Sequence, residues 1–266
     1  MNAKELFDAG NLSGAIDQLN QDVRTNPTDS RSRIFLFELL CFSGAYDRAQ
    51  RQLDAIIQLS GDAKVEIGGQ LYKKILEAET VRQRLFTQGG QPKFLLEPPP
   101  YTSLHLEALA RLVENRPGEA GALLEESNDS RPPLKGRIDG QSFEDFRDCD
   151  DLIAPFLEVF VQTDYVWLAF EQIRHIEIAP PTKLRDLIWL PVRIELQRGP
   201  LGEAFLPILY FGSSEHPNDL VKLGRMTDWK ATGEDLVLGV GQKMFLIDDA
   251  DRPILEIKEV EFGTGS

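Results

Sequence analysis

Five carboxylates crowd into one short stretch of this chain: Glu144, Asp145, Asp148, Asp150 and Asp151. Carboxylates at that density are raw material for a hard-cation site, since calcium and magnesium take oxygen ligands. Loops that hold such ions use a defined spacing with a glycine in the turn, and this stretch has none. Asp148, Asp150 and Asp151 sit instead where a short helix over Asp150 to Phe160 would begin, and a helix N-terminus favours carboxylates. The histidines, His105, His175 and His216, fall on three separate segments with no partner at metal-ligand spacing. Gly239-Val240-Gly241-Gln242 resembles half of a phosphate loop. It runs from one strand-like segment into another, however, so it lacks the helix N-terminus that phosphate needs, and a tight hairpin is expected there. No nucleophile elbow, Walker motif or kinase signature is present. These residues point to no catalytic group, no metal and no cofactor.

One cluster keeps two readings open. Leu223-Gly224-Arg225-Met226-Thr227-Asp228-Trp229 places Arg225, Asp228 and Trp229 together in what reads as a loop. They form either a domain-organising ion pair with cation–π packing or an exposed recognition surface, for which Trp and Arg are favoured anchors.

The elements around these residues divide the chain in two. Up to about residue 130, apolar residues recur at three- and four-residue spacing, which predicts helices. Gly10, Leu12, Ala15 and Leu19 return as Gly44, Tyr46, Ala49 and Leu53, each 34 residues on, and Leu6/Leu40 and Val23/Ile57 share the offset. That period is the mark of tetratricopeptide-type helix pairs, which stack and leave a groove. Pro27 closes the first unit and Gly61 the second. A third, degraded unit places Asn115, Ala120, Leu124 and Pro132 at the Gly, Ala, Phe and Pro positions, after the break at Pro98-Pro99-Pro100. Residues 63–88 between them read as helix without repeat signature, and the first helix of the first unit is cut short by the start of the chain. Composition around 128–142 reads as a linker or domain entry.

Beyond it the period falls toward two, with strands over Tyr165 to Phe170, Ile173 to Ile178, Ile188 to Leu196, Glu203 to Tyr210, Asp235 to Val240, Lys243 to Ile247 and Pro253 to Val260. No regular strand–helix alternation is present. The expected fold is multi-domain α plus β: a tetratricopeptide-like helical domain over 1–135, a mainly antiparallel β domain over 136–262 forming a curled sheet or partly open barrel, and a tail at 263–266.

Twenty-nine basic and 43 acidic residues leave a net charge of −14. That balance argues against nucleic acid and anionic membranes, whose charge would repel it. It serves solubility or welcomes a basic segment of a partner. Two cysteines are too few for a disulfide framework, and Cys41, in the apolar run Phe35 to Phe42, is expected buried. The N-terminus lacks a charged segment followed by an apolar stretch, and no apolar run approaches membrane-spanning length, so a soluble, cytoplasmic protein is expected.

Several stretches in the second half also resemble a known family. They are Asp150-Asp151-Leu152-Ile153-Ala154-Pro155-Phe156-Leu157-Glu158-Val159-Phe160, Arg185-Asp186-Leu187-Ile188-Trp189, and Gly202-Glu203 to Leu206-Pro207 with Tyr210. Leu223-Gly224-Arg225 with Thr227-Asp228-Trp229, and Gly239-Val240-Gly241-Gln242, complete the series. In this order they resemble the ImpE/SciE/TagJ group of type VI secretion accessory proteins. The resemblance implies a non-enzymatic cytoplasmic accessory of a contractile secretion machine. Its implied partner is the N-terminal amphipathic helix of the small sheath subunit, with an indirect effect on sheath handling by the ClpV-type ATPase. It carries no catalytic or binding residue across; Asp186, Trp189, Arg225, Asp228 and Trp229 are its most distinctive side chains, structural or surface.

Repeat geometry supplies the candidate partner-binding residues. The groove-facing positions are Arg31, Ile34, Glu38 and Cys41 in the second unit and Thr102, His105, Leu109 and Leu112 in the third, with Lys4 and Phe7 from the truncated first. Such a stripe either receives a partner helix or packs against residues 63–88 or the β domain. A competing reading makes the β domain a small-ligand or enzymatic unit with the helical half as a targeting arm; a deep pocket with two or more titratable groups from 150–260 would mark it.

Overall fold

Three helix pairs and one long helix build the first half of the computed structural model, which describes residues 1–232 and 236–263. The pairs are α1 (Ala3–Asp8) with α2 (Leu12–Thr25), α3 (Ser30–Phe42) with α4 (Tyr46–Ser60), and, after the single helix α5 (Ala63–Gln88), α6 (Thr102–Val113) with α7 (Pro117–Ser130). Side chains of Asn2, Asn11, Asp29 and Asp62 accept first-turn backbone N–H groups at four of the helix starts. Each pair turns on a left-handed residue at the same register position: Gly10 (φ 78°), Gly44 (φ 70°) and Asn115 (φ 57°). Glycine adopts that conformation without strain, and asparagine is among the few other residues that tolerate it. Ala15, Ala49 and Ala120 are each 0% exposed, so no larger side chain fits where the paired helices touch. The same spacing inside the unit therefore describes all three pairs, although the long helix α5 sets the third off the 34-residue period.

The second half is built on an open antiparallel sheet. Its strands are β1 (Gly136–Ile138), β2 (Gln141–Phe143), β3 (Phe146–Asp148), β4 (Phe156–Val161), β5 (Asp164–Ala169), β6 (Ile173–Ile178), β7 (Trp189–Leu196) and β8 (Gly199–Pro207). A one-turn helix α8 (Asp219–Lys222) precedes β9 (Thr227–Thr232), β10 (Leu236–Gly241), β11 (Met244–Ile247), β12 (Ala250–Pro253) and β13 (Glu259–Phe262). The main sheet runs β2-β1-β13-β6-β7-β8-β4-β5 and does not close; β10-β9 form a ribbon, and β12-β11-β3 a small third sheet. One hydrophobic cluster lies within the sheet half, including Val159, Val166, Ile194 and Phe245. The other runs unbroken from the helices into the sheet, joining Leu40, Tyr72 and Leu85 to Phe160, Trp167 and Trp189.

Several local expectations need correction. The helix over Asp150 to Phe160 is a single 3-10 turn, Asp151–Ile153, followed by strand β4. Pro155 cannot continue a helix, and Phe156 to Val161 is aromatic and β-branched. Five of those six residues are buried, so the alternation that betrays a half-buried strand is missing. The linker at 128–142 holds the end of α7 and the β1–β2 hairpin, whose two-residue turn is Asp139-Gly140 with φ of 48° and 82°. Thr227 to Trp229 belong to a strand, not a loop. Gly239 and Gly241 belong to β10, not to a hairpin turn. A side chain on Gly239 would come within 2.5 Å of the Tyr210 ring, and one on Gly241 within 2.1 Å of the Met226 carbonyl, so both glycines serve close approach. The strand expected over Pro253 to Val260 is broken by a 3-10 turn at Ile254–Glu256. Asp235, the expected start of a strand, and Thr264-Gly265-Ser266 of the tail lie outside the described residues.

The turn glycines carry a second constraint. A Cβ on Gly10 would lie 2.6 Å from Leu220 Cδ2 and one on Gly44 2.7 Å from Ser214 Oγ, whereas one on Gly61 (φ 60°) meets nothing within 4 Å. Gly61→Ala is expected to lose only the left-handed backbone term, about 1 kcal/mol. Gly44→Ala should lose more, and Ser214→Gly in the same chain should restore the excess. Urea unfolding of the four proteins measures this; equal losses at Gly44 and Gly61 would show that the sheet half does not press on the repeat turn.

Candidate functional site: the seam between the helical and sheet halves

The seam is organised by charges that water does not reach. Arg82, on the buried face of α5, is 3% exposed. Its Nε donates to Glu158 Oε1 at 2.7 Å, and its Nη2 donates to Glu158 Oε2 at 3.2 Å and to the Leu209 carbonyl at 3.0 Å. Glu79, one turn back, lies 3.4 Å from Arg82 Nη1 and accepts the Trp189 indole N–H at 3.2 Å. Glu158 faces inward from β4, where Tyr165 donates its hydroxyl at 2.5 Å and Lys243 Nζ approaches Oε2 at 2.5 Å. Trp167 completes that chain, donating to Tyr165 Oη at 2.7 Å. On the far side Lys243 lies 3.5 Å from Asp148, whose Oδ1 accepts the Tyr210 hydroxyl at 2.6 Å. Asp150 accepts the N–H of Leu152 at 3.0 Å and of Gly239 at 2.8 Å.

Two cations thus face four carboxylates in a dry interior, and the surroundings sort the charge. The flanking Arg82 and Lys243 overcome burial and hold Glu158 down at about 2. Burial and the neighbouring Asp148 push Asp150 up to about 7, and burial raises Asp148. The stretch that reads as a cation loop is thereby distributed among protein partners: Asp145 accepts both Nη groups of Arg131, and Asp151 pairs with Arg147.

A second row of contacts runs along the repeat turns. Arg225 donates to the Phe7 and Asp8 carbonyls at 2.9 and 3.1 Å, the open C-terminal end of α1, with its guanidinium 4.7 Å from the Phe7 ring centroid. Asp219 accepts the Leu12 N–H at 2.9 Å and so caps α2 from across the seam. Arg185 lies over the Tyr72 ring at 4.7 Å and 3.5 Å from Glu38. Burial raises the Glu38 carboxyl to about 7, against the pull of Arg185.

The residues singled out by repeat geometry therefore separate by environment. Glu38, Cys41, Thr102, His105 and Leu109 are buried, with Glu38 beside Arg185 of the sheet half and His105 against the Leu152 carbonyl. Phe7, Ile34 and Leu112 are half-buried, and Lys4 and Arg31 exposed. Among the family-motif side chains, Asp186 accepts the Thr182 and Lys183 N–H groups at 2.8 and 2.9 Å, and Trp189 is fully buried. Arg225 and Asp228 do not pair with each other; Asp228 lies 3.3 Å from His216, and Trp229 is 37% exposed with its ring 6.0 Å from that of Tyr210.

Among the described residues, the seam carries one large opening. A cleft of about 640 Å³ lies between α7 and the sheet half, with Gly118, Gly121 and Ala122 along α7 and Pro155, Thr232 and Leu236 opposite. His105 at its base donates or accepts at both nitrogens, 2.7 Å from the Leu152 carbonyl through Nδ1 and 2.7 Å from Ser127 Oγ through Nε2. Burial lowers His105 to about 4, keeping it neutral. The spacing resembles a nucleophile–base pair, with Ser127 itself 1% exposed. Among the described residues, Asp151 is the one titratable group from 150–260 on the cleft wall. Arg82, Glu158, Lys243, Ser127 and Asp219 escape a reading of the sequence alone; the sole trace is a charged residue inside an otherwise apolar run, as at Glu158.

Comparison with known proteins places this geometry. The family model described as ImpE protein matches residues 140–261. The chain is 35% identical over 262 residues to the type VI secretion system accessory component TagJ of Pseudomonas aeruginosa, covering 98% of this chain and 91% of that protein. A crystal structure of protein VPA1032 from Vibrio parahaemolyticus is similar with a TM-score of 0.90 at 26% identity, covering 98% of this chain and 97% of that one.

Glu158→Gln removes the carboxylate that Arg82 and Lys243 share, leaves them only the longer contacts to Glu79 at 3.4 Å and Asp148 at 3.5 Å, and is expected to cost about 3–5 kcal/mol at neutral pH. Because Glu158 titrates at about 2 when folded and near 4.5 when unfolded, its stabilisation is complete above pH 4.5 and lost as pH falls toward 2. The gap between wild type and variant in urea unfolding should shrink over that window. A gap that stays constant would mean the carboxylate is not held ionised by its neighbours.

Proposed function

The chain belongs to the ImpE family, and from that membership we propose that it is a non-enzymatic accessory protein of a bacterial type VI secretion system, working in the cytoplasm. Its partner in this reading is the N-terminal amphipathic helix of the small sheath subunit, and through it the protein influences how the ClpV-type ATPase handles the sheath. The helical domain (1–135) and β domain (136–262) act as one body, because the seam charges and the shared core join them.

The observation that carries the reading is the cleft beside α7. Helical repeats bind partner segments on open faces, and in the first two units that face is filled by the chain's own sheet half. The third unit keeps an opening whose floor is glycine and alanine at helical spacing. Among the described residues, Gly118 has nothing within 4 Å of a Cβ placed on it, and Gly121 only Leu236 at 3.9 Å. Glycine in a helix costs up to about 1 kcal/mol relative to alanine, so the packing of this chain gives no reason for either. A partner helix that approaches closely does. Glu125 on the rim suits a basic residue on that helix.

Titration of the full-length protein against a fluorescent peptide of the sheath subunit's N-terminal helix tests this. Saturable binding is expected, and Gly121→Leu, which fills the floor, should weaken it by about tenfold or more, a loss of 1.4 kcal/mol, with unchanged thermal unfolding. No binding by the wild type rejects the partner; equal binding by both proteins rejects the cleft.

A further inference from the structure

The β9–β10 ribbon carries the longest uncovered sheet edge among the described residues. The β5 edge of the main sheet is closed by Lys93, whose N–H donates to Tyr165 O at 3.0 Å and whose carbonyl accepts from Trp167 at 3.2 Å. The opposite edge, β2, is three residues long, and the edge at β12 is four and ends in Pro253. β9 has six residues, and its four central ones are exposed.

Backbone directions along the ribbon follow from how β10 is anchored. Its Val237, Gly239 and Gly241 N–H groups point away from β9, donating to Asp151 Oδ2 at 2.9 Å, Asp150 Oδ2 at 2.8 Å and Ser213 Oγ at 2.7 Å. These residues stand opposite Ala231, Trp229 and Thr227. In an antiparallel pair such positions turn their N–H and C=O groups outward on both strands. Thr227, Trp229 and Ala231 therefore present the free edge, and within it the Trp229 N–H is occupied only by its own Asp228 carboxylate at 2.8 Å.

We propose that this edge is a self-association surface: two copies of the chain pair β9 to β9 about a two-fold axis through Trp229. The register is set by the outward groups. Centring on Trp229 uses all three outward residues, with Trp229 opposite its mate and Thr227 opposite Ala231. It also brings Asp228 of each copy opposite Lys230 of the other, twice, at the close non-hydrogen-bonded positions. The strand is thus self-complementary in charge, as an isologous interface requires. Pairing moves the Trp229 N–H onto the partner backbone and frees Asp228 Oδ1 for the partner lysine, while Oδ2 stays 3.3 Å from His216. The apolar side chains already exposed on and beside the ribbon, Met226 (46%), Trp229 (37%) and Val237 (36%), would be covered at the same time.

Sedimentation velocity of the full-length protein over a wide concentration range tests the surface. The wild type should shift from monomer to dimer as concentration rises. Ala231→Pro, which deletes an outward N–H without touching the β10 pairing, should remain monomeric. Asp228→Lys alone and Lys230→Asp alone each place like charges opposite and should dimerise at least about tenfold more weakly. Mixed together, those two variants form complementary pairs and should recover a heterodimer. A wild type that stays monomeric throughout, an Ala231→Pro protein that dimerises like the wild type, or a mixture no tighter than its separate components would each overturn the proposal.

Discussion

A guanidinium sealed from water must find its counter-charges inside the protein, and the placement of Arg82 is the constraint from which the rest of the structure follows. A single unpaired ion in that setting costs several kcal/mol, so α5 is stable only where Glu158 of β4, Glu79 and the Leu209 carbonyl converge on it. That convergence fixes the long helix against the sheet in position and rotation. Once it is fixed, the segment after β8 falls beside the first two repeat turns, and Trp189 reaches Glu79. The continuous hydrophobic cluster supplies most of the favourable free energy, but apolar contact is tolerant of sliding and charge pairing is not.

The parts of this arrangement that could be read in the sequence are those a local rule demands. A left-handed turn calls for Gly10, Gly44 and Asn115, and a close helix crossing calls for Ala15, Ala49 and Ala120, so these positions repeat visibly. Strands β6 and β7 show through their alternation for the same reason. What stayed hidden depends on distant partners. Arg82 and Glu158 are 76 residues apart and obey no period. Strand β4 was obscured because both its faces are covered, which erases alternation and leaves a run that passes for a helix. Arg225, Asp228 and Trp229 were visible as a cluster, but their neighbourhood in sequence concealed three separate destinations: the end of α1, His216 and the Tyr210 ring.

The same logic revises the role of the repeat. A stripe of groove positions identified from register alone assumes that the groove is empty. Here the sheet half supplies an internal occupant along two of the three units, and residues such as Glu38 and His105 become seam residues. What distinguishes the third unit is the smallness of its α7 face, a feature that repeat arithmetic does not weigh.

The helix caps across the seam also bear on how the protein is made. Leu12 receives its capping carboxylate from Asp219, and the last carbonyls of α1 receive Arg225, more than two hundred positions later in the chain. At translation rates of about 5–20 residues per second, the first helix pair waits on the order of 10–40 s for the groups that finish it. Until then its turn glycines and the apolar face around Leu40 are open to the cell. A segment made well before its partners is thus among the last to be completed, and newly made chains depend on keeping that face from other molecules until the sheet half arrives.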